Sequence, residues 1–186
     1  MKKLFFALMG VGAILGSMVC SDVAFAQKPV TVGGAPMYPT KNIIENAVNS
    51  KDHTTLVAAV KAAGLVDTLQ GSGPFTVFAP VNAAFAALPA GTVDTLLKPE
   101  NKGTLTAVLT YHVVAGRFNS KALERLIKQG GGTAKLKTVQ GEELSAKLAG
   151  DMIEVVDSKG GMAKITIANV NQSNGVIHVI DKVLMP

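Results

Sequence analysis

The chain has 186 residues, of which 48% are hydrophobic and 17% charged, with one cysteine, no tryptophan and a formal charge of +5. That length suits one ordinary domain with a real core, and a lone cysteine, Cys20, excludes a disulfide framework and a Cys-based metal site. Mild basicity without a basic stripe interleaved with aromatics argues against nucleic acid and fits a solvated exterior, with some affinity for acidic glycans or anionic lipid.

Lys2 and Lys3 precede an apolar run, Leu4–Val19, and Ala24-Phe25-Ala26 places small residues at the two recognition positions of a signal peptidase. This is a secretory signal peptide over 1–26, cleaved after Ala26; its apolar core is short for a retained anchor. Ser17-Met18-Val19 is a poor lipobox, so lipidation of Cys20 is the minor alternative. Cleavage removes Lys2, Lys3, Cys20 and Asp22 and leaves 160 residues with a charge of +4. The expected address is periplasmic or secreted, with surface association open, and no membrane span remains after cleavage.

Gln27–Thr40 mixes Pro and Gly without periodicity and reads as an extended arm or linker over 27–40, which Met37 and Tyr38 can pin to a domain over 41–186. Asn42-Ile43-Ile44-Glu45 has the form of a capping box opening a helix with Ile43, Ile44, Ala47 and Val48 on its inner face. A second helix begins at Asp52 or Thr54, lines one side with Leu56, Val57, Val60 and Ala63, and ends at Gly64. Gly71-Ser72-Gly73 is a turn: it precedes a strand where a dinucleotide fingerprint would follow one, and it lacks the third glycine.

The stretch Gly73–Phe85, GPFTVFAPVNAAF, organises the rest. Phe75–Ala79 suits a strand covered on both faces, and Pro80 cannot donate to a ladder, so the strand stops there. Asn82 stands where a helix N-cap belongs, and Phe85 can anchor that helix back on the strand around Phe78. Beyond it come a short helix over Thr92–Leu97 and a helical face of Leu105, Val108 and Leu109. Tyr111–Ala115 reads as a strand, and Ser120–Gln129 as a helix with Leu123, Leu126 and Ile127 inward.

From Ala134 the apolar period changes from helical to two. Ala134–Thr138, Leu144–Leu148, Ile153–Val155 and Ile165–Ile167 alternate with polar residues and are separated by turns at Gln140-Gly141, Gly150-Asp151 and Ser158–Gly161, the pattern of an antiparallel meander covered on one side. Val176–Leu184 is apolar on both faces, with Ile177, Val179 and Val183 opposite Val176, His178, Ile180 and Leu184, which marks a central strand. The fold class is therefore α+β: a β-sandwich built mostly by the second half, with the helices of the first half packed around it.

Three segments carry a family likeness. FTVFAPVNAAF resembles the first signature of the fasciclin (FAS1) domain, Tyr111-His112 in TYHVVAG matches its Tyr-His motif, and Asn174–Pro186, NGVIHVIDKVLMP, resembles its second signature. The resemblance implies a wedge-shaped sandwich with helices around one edge, and a role in adhesion to cells or matrix without catalysis. It ties Tyr111 and His112 to cell attachment, with packing near the central strands as their structural alternative. Phe75, Phe78, Pro80, Asn82, Phe85, His178 and Asp181 form the structural motif. Two departures stand out: Val81 replaces a common Thr, and Asn169-Val170 stands where animal members carry the Asp-Ile associated with integrins, so integrin binding does not carry over.

Chemistry has few candidates. His53 sits among polar residues and is expected at the surface, while His112 and His178 lie in strands at spacings of 59 and 66 residues that suggest no zinc site with Asp181. A Ser/His/Asp set can be assembled on paper from His112 or His178 and Asp181, but no G-x-S-x-G elbow presents a nucleophile. Glu142 and Glu143, adjacent in a hairpin, point to opposite faces and cannot pair. No enzyme, metal or cofactor is expected. The leading function is adhesion to a cell-surface or matrix protein or glycan. The alternative, a binding module of the cell envelope for a small apolar, lipid-like ligand, needs a cavity of about 300 Å³ or more.

Overall fold

A computed structural model describes residues 28–186; the expected signal peptide over 1–26, with Cys20 and the cleavage site at Ala26, lies outside the described residues. Strands β1 (Val30–Val32) and β2 (Ala35–Met37) open the described chain as an antiparallel hairpin. Its two-residue turn is Gly33-Gly34, both at positive φ (58° and 75°), the conformation a tight hairpin demands and glycine supplies without strain. Val32 and Met37 are buried in the core. The stretch expected as an arm or linker is thus a folded hairpin, because the glycine pair returns the chain and lets alternate residues face inward.

Helix α1 (Ile43–Ala47) carries the capping box: Asn42 accepts from the Glu45 amide, and Glu45 accepts from the Asn42 amide. Val48 lies past its end and is exposed rather than inward. A 3-10 turn at Lys51–His53 leads into α2 (Thr54–Ala63), closed by Gly64 in the left-handed conformation at φ 73°, and α3 (Val66–Gln70) follows. Strand β3 (Phe75–Pro80) gives way to α4 (Asn82–Ala86), then α5 (Thr92–Leu96) and α6 (Lys102–Tyr111). Tyr111 is the last residue of α6 and His112 its C-cap, so the strand expected over Tyr111–Ala115 shrinks to β4 (Val113–Ala115). Tyr111 packs with Phe78 and Leu123, apart from Leu105 and Leu109, which join the packing on the helix side, so the apolar stripe of α6 does not announce it. Helix α7 (Ser120–Gln129) precedes the meander of β5 (Thr133–Lys137), β6 (Glu143–Ala149), β7 (Met152–Val156), β8 (Met162–Gln172) and β9 (Gly175–Ile180).

The strands run in the order β4-β3-β9-β8-β7-β6-β5. The early and late apolar strands, β3 and β9, lie side by side in parallel, from Phe75 opposite Gly175 to Pro80 opposite Ile180. Strand β8 divides the sheet into two leaves. Its first residues, Met162–Lys164, pair with β7, whereas Ile165–Gln172 pair with β9 through two register shifts. Asn169 sits in the second shift at φ 61°. Such bulges bend a strand and re-aim its remaining residues, and here they fold one ladder into a wedge-shaped sandwich whose ends meet again where Val114 bridges Thr138.

Two cores result. Val77 and Ala79 of β3, with Ile177 and Val179 of β9, face the helices and the hairpin. Phe78 and Ile180 point the other way, into the space between the leaves, with Leu184 and, from α7, Leu123 and Ile127. Both α7 residues are essentially inaccessible, and burial of each contributes about 2 kcal/mol. The α+β sandwich with helices packed around it is the observed architecture.

Candidate functional site

The residues singled out in the sequence sit around the β3–β9 pair, and nearly all of them are structural. Phe78 is fully buried and stacks on His178, with ring centroids 5.8 Å apart. Phe85 packs into the helix-side core, with Phe75 half-buried against it. Pro80 is the last residue of its strand, where no N–H is missed. Asp181 accepts the Lys164 amide at 2.8 Å and so pins the start of β8; it touches neither His112 nor His178.

Asn82 corrects the expectation of a local N-cap. The cap of α4 is Val81, whose side chain makes no capping bond, and Asn82 is already the first helical residue. Its side chain crosses to another helix instead. Oδ1 accepts the Thr55 amide at 3.0 Å, and Nδ2 donates to the Lys51 carbonyl at 2.8 Å and to Thr54 Oγ1 at 3.0 Å. One of the unpaired first-turn amides of α2 is thereby satisfied from a distance.

Two further asparagines act in the same way. Asn174 accepts the Ile43 amide at the start of α1 (3.1 Å) and donates to the Leu69 and Gly71 carbonyls. Asn169 accepts the Ser120 amide at the start of α7 (2.7 Å) and donates to Ser120 Oγ (2.8 Å). Asn169-Val170, the pair at the position tied to integrin recognition elsewhere, is therefore committed to a helix terminus and to the core, where Val170 is buried. The sequence held no signal for these remote caps, because local capping rules look no further than one turn.

Tyr111 and His112 lie inside the fold, not on its surface, at 0% and 3% exposure. The Tyr111 hydroxyl accepts the Ser158 amide at 2.9 Å and donates to the Glu143 carbonyl at 3.4 Å, which ties α6 to the far leaf. His112 donates from Nδ1 to the Val108 carbonyl at 2.8 Å and accepts the Leu184 amide on Nε2 at 3.0 Å. Burial pulls its pKa down to about 4, so the ring is neutral near pH 7. His178 donates from Nε2 to the Phe118 carbonyl at 2.7 Å, leaving Nδ1 toward the Asn169 amide, and burial lowers its pKa too. An imidazole with both nitrogens bonded to backbone is a strut; it has no lone pair or proton to offer a substrate.

His53 departs furthest from expectation: it is buried, at 3% exposure, rather than solvent-facing. The Gly33 carbonyl accepts the Lys51 amide, which draws the turn under the hairpin and rotates His53 inward while Lys51 and Asp52 stay outside. Its Nδ1 lies 2.9 Å from Ser50 Oγ, which leaves Nε2–H for the Ala79 backbone. Desolvation lowers its pKa, against weaker opposing effects of the Ala79 backbone and Asp52. The three imidazoles thus serve separate parts of the fold. No group of three His, Cys, Asp or Glu able to hold a metal occurs among the described residues.

His53 also lines a cavity of about 40 Å³ between α1, α2 and α3 and the β3–β9 face, walled by apolar side chains that include Met37, Leu56, Val60, Val77 and Ile177. That is far below the roughly 300 Å³ of a lipid-sized site. This cavity is therefore too small for the lipid-like ligand of the alternative reading, and Val32 and Met37 of the hairpin form part of its wall. Among the described residues no helix is long and apolar enough to cross a membrane.

Comparison with known proteins agrees with this geometry. The family model of the Fasciclin domain matches residues 51–186. Protein sll1483 of Synechocystis is 43% identical over 182 residues, covering 98% of this chain and 94% of that one. The cell surface glycolipoprotein MPB83 of Mycobacterium bovis is 36% identical over 172 residues, covering 90% of this chain and 70% of that one. Among solved structures, the FAS1 domain pair of the insect cell adhesion molecule Fasciclin I superposes with a TM-score of 0.71 at 17% identity, over 80% of this chain and 52% of that one. The fold is shared, and this chain spans about half the length of that pair.

Proposed function

The chain belongs to the fasciclin domain family, and from that premise we propose that it is a non-catalytic protein of the cell exterior or envelope that attaches to a cell-surface or matrix protein or glycan through its outer faces. The observation that carries this reading is the way the family's motif residues are used. Tyr111, His112, His178 and Asn174 are all buried and bonded to this chain's own backbone, which leaves recognition to exposed side chains. The cell-surface description of the mycobacterial relative supports the address. The leaf of β5–β7 turns Lys135, Lys137 and Glu143 outward, and lysines there fit acidic glycans.

Purified protein coated on a solid support tests the proposal. It is expected to retain cells or anionic polysaccharide several-fold better than the same protein coated after unfolding, with binding that weakens as salt rises. Equal retention by folded and unfolded coatings overturns it.

A further inference from the structure

We propose that the outer face of α7 is the docking site for a linear acidic polysaccharide, whose anionic groups are held along a single-sign stripe of Lys121, Arg125 and Lys128. This inference rests on attachment through the outer faces, and it names the face and the chemistry that face takes. Helical spacing creates the stripe. Residues three and four apart are neighbours on a helix surface, so these three cations share an arc of about 60° and run over about 10 Å of the helix. All three are exposed, and none is in an ion pair among the described residues. Glu124 is the one acid of the helix; it is half-buried and stands beside the stripe. The opposite side of α7 holds it in place: Leu123 and Ile127 are buried against Ala134, Leu136, Leu144 and Ala146 of β5 and β6. Those inward strand positions are apolar, so no carboxylate beneath the helix offsets its cations.

The character of the face selects the occupant. A helix that lies on a bilayer lays an apolar side into the headgroup boundary, and the apolar side of α7 is already occupied in the core. The exposed large apolar side chains, Met152 and Met162 among them, all lie on other elements. Recognition on this face is therefore by charge, and a stripe one side chain wide suits a chain more than a plane. Arg125 adds the planar, two-pronged hydrogen bonding that a carboxylate accepts. The outer face of the β5–β7 leaf differs in sign pattern. Lys135 is paired with Glu143 at 3.2 Å, and the strand register sets Glu154 between Lys147 and Lys164, so a polyanion meets both signs there.

The test is a binding titration of the purified protein at low salt with alginate, a linear polyuronate, against neutral dextran and phosphatidylglycerol vesicles. Alginate is expected to bind saturably and more tightly than the vesicles, dextran not at all, and the alginate affinity should fall as salt rises. The triple variant Lys121→Gln, Arg125→Gln, Lys128→Gln replaces exposed residues with a good helix former; it should keep its far-UV spectrum and bind alginate about tenfold or more weakly. Arg125→Gln alone should give an intermediate loss. A second triple variant, Lys51→Gln, Lys61→Gln, Lys102→Gln, removes three exposed cations from the helix side of the molecule. It lowers the net charge equally and should weaken binding by less than about twofold. The proposal is overturned by the absence of saturable alginate binding, by tighter binding to the vesicles, by equal losses in the two triple variants, or by a loss that follows Lys135→Gln and Lys137→Gln and not the α7 substitutions. In that last case attachment through the outer faces stands and only the face is wrong, whereas a coated protein that retains neither cells nor polysaccharide sinks the attachment reading itself.

Discussion

His112 shows what a motif residue does when its environment is apolar. Its folded pKa of about 4 lies below the ordinary 6.5, so between these values the unfolded chain takes up a proton that the folded chain refuses. Stability is therefore full above pH 6.5, falls as the pH drops through the window, and levels off below 4; the loss amounts to about 3 kcal/mol from this one ring. His53 and His178 are shifted in the same direction and add to the loss. Urea midpoints at pH 7 and pH 4.5 measure it, and His112→Gln, which retains a donor for Val108 and an acceptor for Leu184, should flatten the dependence. Tyr111→Phe removes the acceptor of the Ser158 amide and should cost about 1–2 kcal/mol. Because the hydroxyl is buried, the variant's attachment to cells or glycan should be unchanged while it remains folded; a selective loss of attachment at full stability would return Tyr111 to the role of a contact.

Among the elements, the recurring device is an asparagine that caps a helix remote in sequence. Asn82 serves α2, Asn174 serves α1 and Asn169 serves α7. In each case the amide group, not merely an oxygen, is required, because Nδ2 also donates: from Asn82 to the Lys51 carbonyl, from Asn174 to the Leu69 carbonyl of α3, and from Asn169 to the Ser120 hydroxyl. Substitution at Asn82 discriminates the two kinds of cap. Were Asn82 a local cap, Asn82→Asp would be neutral or stabilising, since Asp caps as well as Asn. In the observed geometry Asp loses both donors and sets a carboxylate against the Lys51 carbonyl, so a destabilisation of about 1–2 kcal/mol is expected in denaturant titrations. The capping box at Asn42 and Glu45, by contrast, was legible from four consecutive residues, since its hydrogen bonds close within one turn.

At the scale of the molecule, the parallel β3–β9 pair is covered by helices on one face and by the opposing leaf on the other. Their amides open only when one of the cores is disrupted, so they should be the slowest to exchange with deuterium. The amides of the β1–β2 hairpin, a separate two-stranded sheet, should exchange faster by orders of magnitude. Uniform protection across both would mean that the hairpin and the sandwich open as one unit. The bend at β8 gives the fold its wedge: one strand serves two leaves, and the outer face of the β5–β7 leaf is left to solvent.

Periodicity sets the strands of the meander, the two-faced character of Val176–Ile180 and the α+β class, because alternation of apolar side chains is a local consequence of which faces must leave water; the strand ends at Ile180, four residues short of the expected Leu184. The capping residues at Asn42 and Gly64 are likewise local; the Gly33-Gly34 turn is local too, but with no periodicity around it the stretch reads as an arm, and only packing shows the hairpin. Tertiary structure alone decided that Tyr111 closes a helix, that His53 is drawn beneath the hairpin, and that Asn82, Asn169 and Asn174 satisfy amides 27, 49 and 131 residues away. Those outcomes depend on which backbone groups are left unpaired after the elements have packed, and a hydrogen bond that spans the chain leaves no periodic trace in it.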